Sequence, residues 1–143
     1  MHGDRERWLA QTDTVLREAG LRAGPRRAAV TEVLANGGCL MSAQEILRRV
    51  QDEPELSASS ATVYRTIELL HDHGLVRRID AGDGPRYEPS DLSPDDEHHH
   101  VVFEDGSVEP FTDAELTRAM ADLGERLGID ISSYELIVHA RRR

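Results

Sequence analysis

Between positions 42 and 88 the chain carries a succession that few folds accommodate: a short capped helix, a polar loop, a longer amphipathic helix ended by glycine, and two short strands around a glycine turn. Ser42 with Glu45 three positions later forms a capping box, and Ala43, Ile46, Leu47 and Val50 then repeat at helical spacing. A polar loop containing Pro54 precedes a helix predicted over 60–73. Its buried side is Val63, Ile67 and Leu70, and Gly74 provides the stop. Segments 75–80 and 86–88 are predicted strands flanking Ala81-Gly82-Asp83-Gly84-Pro85.

Upstream, Trp8, Leu9, Thr12, Val15, Leu16 and Ala19 fall at helical spacing, with residues 1–8 expected to fray. Gly24-Pro25 opens another helix with proline at its first position, and Ala29, Val30, Val33 and Leu34 form its apolar face. Helices closed by a two-stranded wing predict a winged helix-turn-helix.

In that arrangement the 60–73 helix is the one whose first turns enter a major groove. Ala61, Thr62, Tyr64 and Arg65 sit there. Alanine and threonine can touch thymine methyls, tyrosine can bond phosphate or pack on bases, and arginine can grip guanine or phosphate. Arg22, Arg26 and Arg27 near the second helix, and Arg77 and Arg78 on the wing, are further candidates for phosphate or minor-groove contact.

Net charge tests this reading, because phosphate contact favours a positive surface. The formal charge is −10, yet it is unevenly spread. Residues 1–80 hold 11 arginines against 12 acids, and residues 81–143 hold 6 against 15. The half with the helices is close to neutral, so the overall acidity does not exclude nucleic acid.

Residues 89–97 are acidic and carry two prolines, which marks a linker between a 1–88 domain and a 98–143 domain. The second domain opens on His98-His99-His100-Val101-Val102-Phe103. Imidazole is the commonest ligand of transition metals, and alternate residues of a strand share a face. His98 and His100 can therefore hold one ion. His99 faces the other way, where Glu97 and Glu115 are candidates for a weaker second site. His71 and His73 complement the dipole at the end of the 60–73 helix. After Glu104-Asp105-Gly106 come a strand over 107–111, a helix with a capping box at Thr112 and Glu115, and a strand over 134–139. The helix stripe is Leu116, Ala119, Met120, Leu123 and Leu127. Three strands and one helix make a small core, which burial against a second copy would enlarge. The fold class is α+β.

Several segments together resemble the ferric uptake regulator family. They are Gly20-Leu21-Arg22 with Pro25-Arg26-Arg27, Ser42-Ala43-Gln44-Glu45-Ile46, Ala61-Thr62-Val63-Tyr64-Arg65-Thr66-Ile67 with Gly74-Leu75-Val76, Arg86-Tyr87-Glu88, the histidine cluster, and Gly106-Ser107-Val108 with Phe111. The resemblance runs from about Leu9 to Ala140. It implies a homodimer, with an N-terminal winged helix and a C-terminal α/β dimerisation domain. It also implies metal-gated binding to palindromic double-stranded DNA, usually as a repressor of metal-homeostasis or stress genes. By the match, Thr62, Tyr64 and Arg65 face bases and phosphates, and Arg22 reaches the minor groove.

The family's regulatory metal site maps onto Glu88, His98 and His100. Leu40 stands where a further histidine is usual, and Cys39 beside it is a candidate substitute. Such nitrogen and carboxylate donors suit Fe(II), Mn(II) or Zn(II), with Fe(II) or Mn(II) favoured and a thiolate tilting the choice to Zn(II). Two cysteine pairs that hold a structural zinc in many members are missing, because Cys39 is the single cysteine. Phe103 and Asp105 replace the first pair, and Ala140-Arg141-Arg142-Arg143 lies at the second. The second regulatory site is also poorly matched, with Ser133 where a histidine is expected.

A regulator responding to haem or peroxide is the alternative within the family. A metallohydrolase using Glu88, His98 and His100 would need a general base and a substrate pocket, and no motif supplies them. No apolar run approaches a membrane span and no signal-peptide core is visible, so a cytoplasmic protein without membrane association is expected.

Overall fold

A computed structural model describes residues 2–21, 24–37, 40–52, 58–80, 82, 84–90, 98–132 and 134–143, with backbone alone at 2–4. Arg22, Cys39, Glu97 and Ser133, and residues 91–97 of the expected linker, lie outside the described residues. The chain divides into two compact units, Met1–Leu92 and Ser93–Arg143.

The first unit runs α1 (His2–Glu18), α2 (Pro25–Asn36), β1 (Met41–Ser42), α3 (Ala43–Gln51), α4 (Ser60–Asp72), β2 (Val76–Asp80) and β3 (Pro85–Pro89). Local chemistry sets the helix ends. Pro25 starts α2, where its missing N–H costs nothing. The Ser42 hydroxyl accepts from the Glu45 amide at 3.1 Å, and Ser59 accepts from the Thr62 amide at 3.2 Å. Gly74, at φ +71°, turns the chain out of α4 in the left-handed conformation that glycine enters without a Cβ clash. The Leu75 amide then donates to the Leu70 carbonyl at 2.9 Å. The His73 Nδ1 meets the Leu69 carbonyl at 2.9 Å, so this ring caps the helix end.

Leu16, Val30, Leu34, Ile46, Val50, Val63, Ile67 and Leu70 close a single apolar core among the helices. Burying a side chain of this size contributes roughly 1.5–3 kcal/mol. The sheet order is β1-β3-β2, antiparallel throughout, with Met41 opposite Tyr87 and Arg77 opposite Glu88. This is a winged helix with α4 leading into the wing.

Two features of this unit differ from expectation. The first helix begins at His2 rather than near Trp8. Arg5 accounts for the extra turns, donating to Glu32 at 2.6 Å and to Asn36 at 2.5 Å on α2. Strand β1 was not expected, because two residues are too short to show alternation.

The second unit runs β4 (His99–Phe103), β5 (Val108–Phe111), α5 (Ala114–Leu127) and β6 (Ile137–Ala140). The sheet order is β5-β4-β6, with β5 antiparallel and β6 parallel to the central β4. Asp113, not Thr112, caps α5. Its carboxylate accepts from the amides of Glu115 and Leu116 at 2.9 and 3.1 Å. The last strand starts at Ile137 instead of 134, and Tyr134 stacks on His99 instead of pairing in the sheet.

The end of β4 meets the segment that follows β6. The Arg142 guanidinium lies 4.0 Å from the Phe103 ring centre and also reaches Ser107 and Glu109 at 3.3 Å. Ser107 donates to Asp105 through its hydroxyl at 2.5 Å and its amide at 2.9 Å. These two bonds, the hydroxyl's first, hold the Asp105 carboxyl below its ordinary value. Cation–π and turn hydrogen bonds thus close the hairpin end.

Candidate metal centre and nucleic-acid interface

Helix α4 has two faces of different chemistry. Val63, Thr66, Ile67 and Leu70 are buried, whereas Ala61, Tyr64, Arg65 and Glu68 are exposed. Tyr64 is 42% accessible, unusual for a large ring in a unit with an ample core. The outer face is therefore free to enter a groove. Thr62 is half-buried, and its hydroxyl sits 3.0 Å from that of Ser59. Among the candidate phosphate contacts, Arg26 and Arg78 are exposed and Arg27 is half-buried.

Arg77 is different. The register of the wing sets it directly across from Glu88, and directly opposed residues of a ladder project to the same side. Arg77 donates through Nε to Glu88 Oε1 at 3.1 Å and through a terminal nitrogen to the same oxygen. Glu88 is 1% accessible. The expectation of Arg77 as a phosphate contact is corrected on this point: its guanidinium is engaged with a buried carboxylate. Sequence reasoning missed the pair because register, not composition, creates it. The signal was present in the hairpin, since a turn centred at 82–83 pairs position 77 with position 88.

In the second unit His98 and His100 project to one side, as residues two apart in extended backbone must. Their ring centres are 4.8 Å apart, edge to face. His100 is fully buried and His98 half-buried. Nitrogens of the two rings lie within 4.8 Å of one another, a separation close to that of two donors each ~2.1 Å from a shared ion. Two imidazoles and a carboxylate are donors that Fe(II), Mn(II) and Zn(II) all accept. The first unit thus carries a carboxylate and the second a pair of imidazoles, donors of the kind that the ion implied by the resemblance takes.

His99 faces the opposite way. Its ring stacks on Tyr134 at 5.0 Å and tilts against Phe111 at 5.7 Å. Glu115 is exposed in the first turn of α5. Among the described residues, no group of three His, Cys, Asp or Glu side chains includes His99 or Glu115. No helix among the described residues is long and apolar enough to cross a membrane.

A winged helix with an outward Tyr-Arg pair, in one chain with a small α/β unit bearing paired imidazoles, defines the class: a DNA-binding transcription regulator. Known proteins narrow this. A model described as the ferric uptake regulator family matches residues 18–139. The ferric uptake regulation protein of Brucella suis biovar 1 is 30% identical over 129 residues, covering 89% of each chain. Among solved structures, the Vibrio cholerae ferric uptake regulator matches with a TM-score of 0.79 at 25% identity, over 92% of this chain and 99% of that one. The Pseudomonas aeruginosa ferric uptake regulator, solved with manganese, matches with a TM-score of 0.73 at 26% identity, over 92% and 97%. The chain belongs to the ferric uptake regulator family, whose members are transcription regulators and not enzymes.

Proposed function

We propose that this chain is a homodimeric, metal-responsive regulator that binds palindromic double-stranded DNA and represses metal-homeostasis or stress genes in the cytoplasm. The pairing of His98 with His100, on a strand one residue out of phase with the aromatic-packed His99, carries the reading. Glu88, His98 and His100 offer one carboxylate oxygen and two imidazole nitrogens to a divalent ion, with Cys39 as a candidate fourth donor. Fe(II) and Mn(II) are the favoured ions, and Zn(II) also fits the donors.

The DNA-reading residues are Ala61, Thr62, Tyr64 and Arg65 in the first turns of α4, with Arg22 reaching the minor groove. The bound ion favours the arrangement of the two units that sets the spacing of paired reading helices. A sensor requires such differential affinity between states. The second copy is supported by the exposed apolar side chains of the second unit: Leu127 at 60%, Ile129 at 53% and Val138 at 39% accessible.

The test is an operator-binding titration with Fe(II), Mn(II) or Zn(II) and with chelator. Metal is expected to tighten binding at least tenfold, and the double variant His98→Ala, His100→Ala is expected to lose that gain. Equal affinity in chelator and saturating metal would overturn the reading. In the same assay Arg65→Ala should weaken specific binding more than non-specific binding.

A further inference from the structure

We propose that Arg77 is the resident counter-cation of Glu88 and competes with a divalent ion for that carboxylate. The proposal rests on the reading above, in which Glu88 is a metal ligand. A carboxylate sequestered from water needs a cation or strong hydrogen bonds to remain charged. Glu88 is such a group, with its side chain 2% accessible, and the Arg77 guanidinium, 19% accessible, is bonded to it. Nε and a terminal nitrogen of Arg77 both donate to Oε1, so two donors already point at the lone pairs of that atom.

A metal ion taking Oε1 competes for those lone pairs and repels the guanidinium. One cation is exchanged for another, and the carboxylate is never left bare. The affinity for metal is then the difference between two interactions of Glu88, and Arg77 sets how much free metal the protein needs before it responds. The β2–β3 register fixes this competition in place, because Arg77 has Glu88 as its direct cross-strand neighbour.

The experiment measures Mn(II) affinity by calorimetry at pH 7.5 on the full chain, with thermal melts in chelator and in saturating Mn(II). Arg77→Gln and Arg77→Ala should bind Mn(II) about tenfold more tightly than the parent. Both should melt lower than the parent in chelator and regain the difference in Mn(II), since a ligand stabilises the state that it binds. Arg77→Lys, which keeps the charge but loses the forked geometry, should fall between and provides a folded variant if the others are unfolded without metal.

The gain on removing Arg77 should vanish in the Glu88→Gln background, which separates direct competition from a general loss of positive charge. Unchanged or weaker Mn(II) affinity in the Arg77 variants overturns the proposal, as does a gain that persists without the Glu88 carboxylate. If Glu88→Gln and the His98→Ala, His100→Ala pair lower the affinity while Arg77 variants do not raise it, only the role of Arg77 falls. If those ligand variants bind Mn(II) as the parent does, the metal site falls and takes this role with it.

Discussion

The two units differ in what fills them. The first is centred on apolar side chains: Leu16, Leu34, Ile46, Ile67 and Leu70 are each no more than 2% accessible. In the second, Val102, at 8% accessible, is the only buried apolar side chain among the described residues, and the other buried side chains are His99 and His100. Its helix α5 has strong amphipathic spacing, yet Leu116, Met120 and Leu123 are only half-buried and Leu127 is exposed. One unit therefore holds itself together with hydrocarbon. The other buries two imidazoles and little hydrocarbon, and leaves Leu127, Ile129 and Val138 exposed, so a small core has less to hold it.

That contrast can be broken in three ways. The largest effect is expected from Leu70→Ala, which opens a cavity in the first core. It should cost about 3 kcal/mol in urea denaturation followed by circular dichroism, independent of protein concentration. A loss under 1 kcal/mol would mean that the helices are not anchored on this residue. Next is Ile129→Asp, which places a charge on the exposed face of the second unit. Sedimentation should show dimer dissociation shifted at least tenfold, equivalent to ~1.4 kcal/mol, with little change in the first unit. An unaltered sedimentation profile would put the second copy elsewhere. The smallest effect is expected from Arg142→Ala, which removes the cation over the Phe103 ring; the second unit should lose about 0.5–1 kcal/mol in thermal melts. No loss would mean that this contact does not help to hold the second unit closed.

Much of the architecture was legible because periodicity and capping are local. Val63, Ile67 and Leu70 mark α4, Gly74 ends it, and Gly106 marks the β4–β5 turn. The rest depended on partners far along the chain. Arg5 extends α1 only because α2 presents Glu32 and Asn36. Asp113 prevailed over Thr112 as the cap of α5 through geometry one residue fine, which pattern alone does not resolve.

At the candidate site, the shared side of His98 and His100 follows from the pleat. Glu88 came only from family resemblance, because nothing local distinguishes it from other acids of the chain. Its pairing with Arg77 required the wing's register, which is a property of the turn and not of either residue. The contact between Phe103 and Arg142 was equally hidden, since parallel pairing of β4 with β6 brings together positions about 40 apart in sequence.

The chain's single tryptophan has a particular address. The Trp8 indole donates to the Leu75 carbonyl at 2.8 Å, and the Ser90 amide donates to that same oxygen at 3.0 Å. Both bonds lie in the first unit, at the junction of α4 with the wing. Intrinsic emission is therefore a one-point optical probe of that junction: a change in its colour on adding metal or operator would report the wing's root moving, while events confined to the second unit would leave it dark.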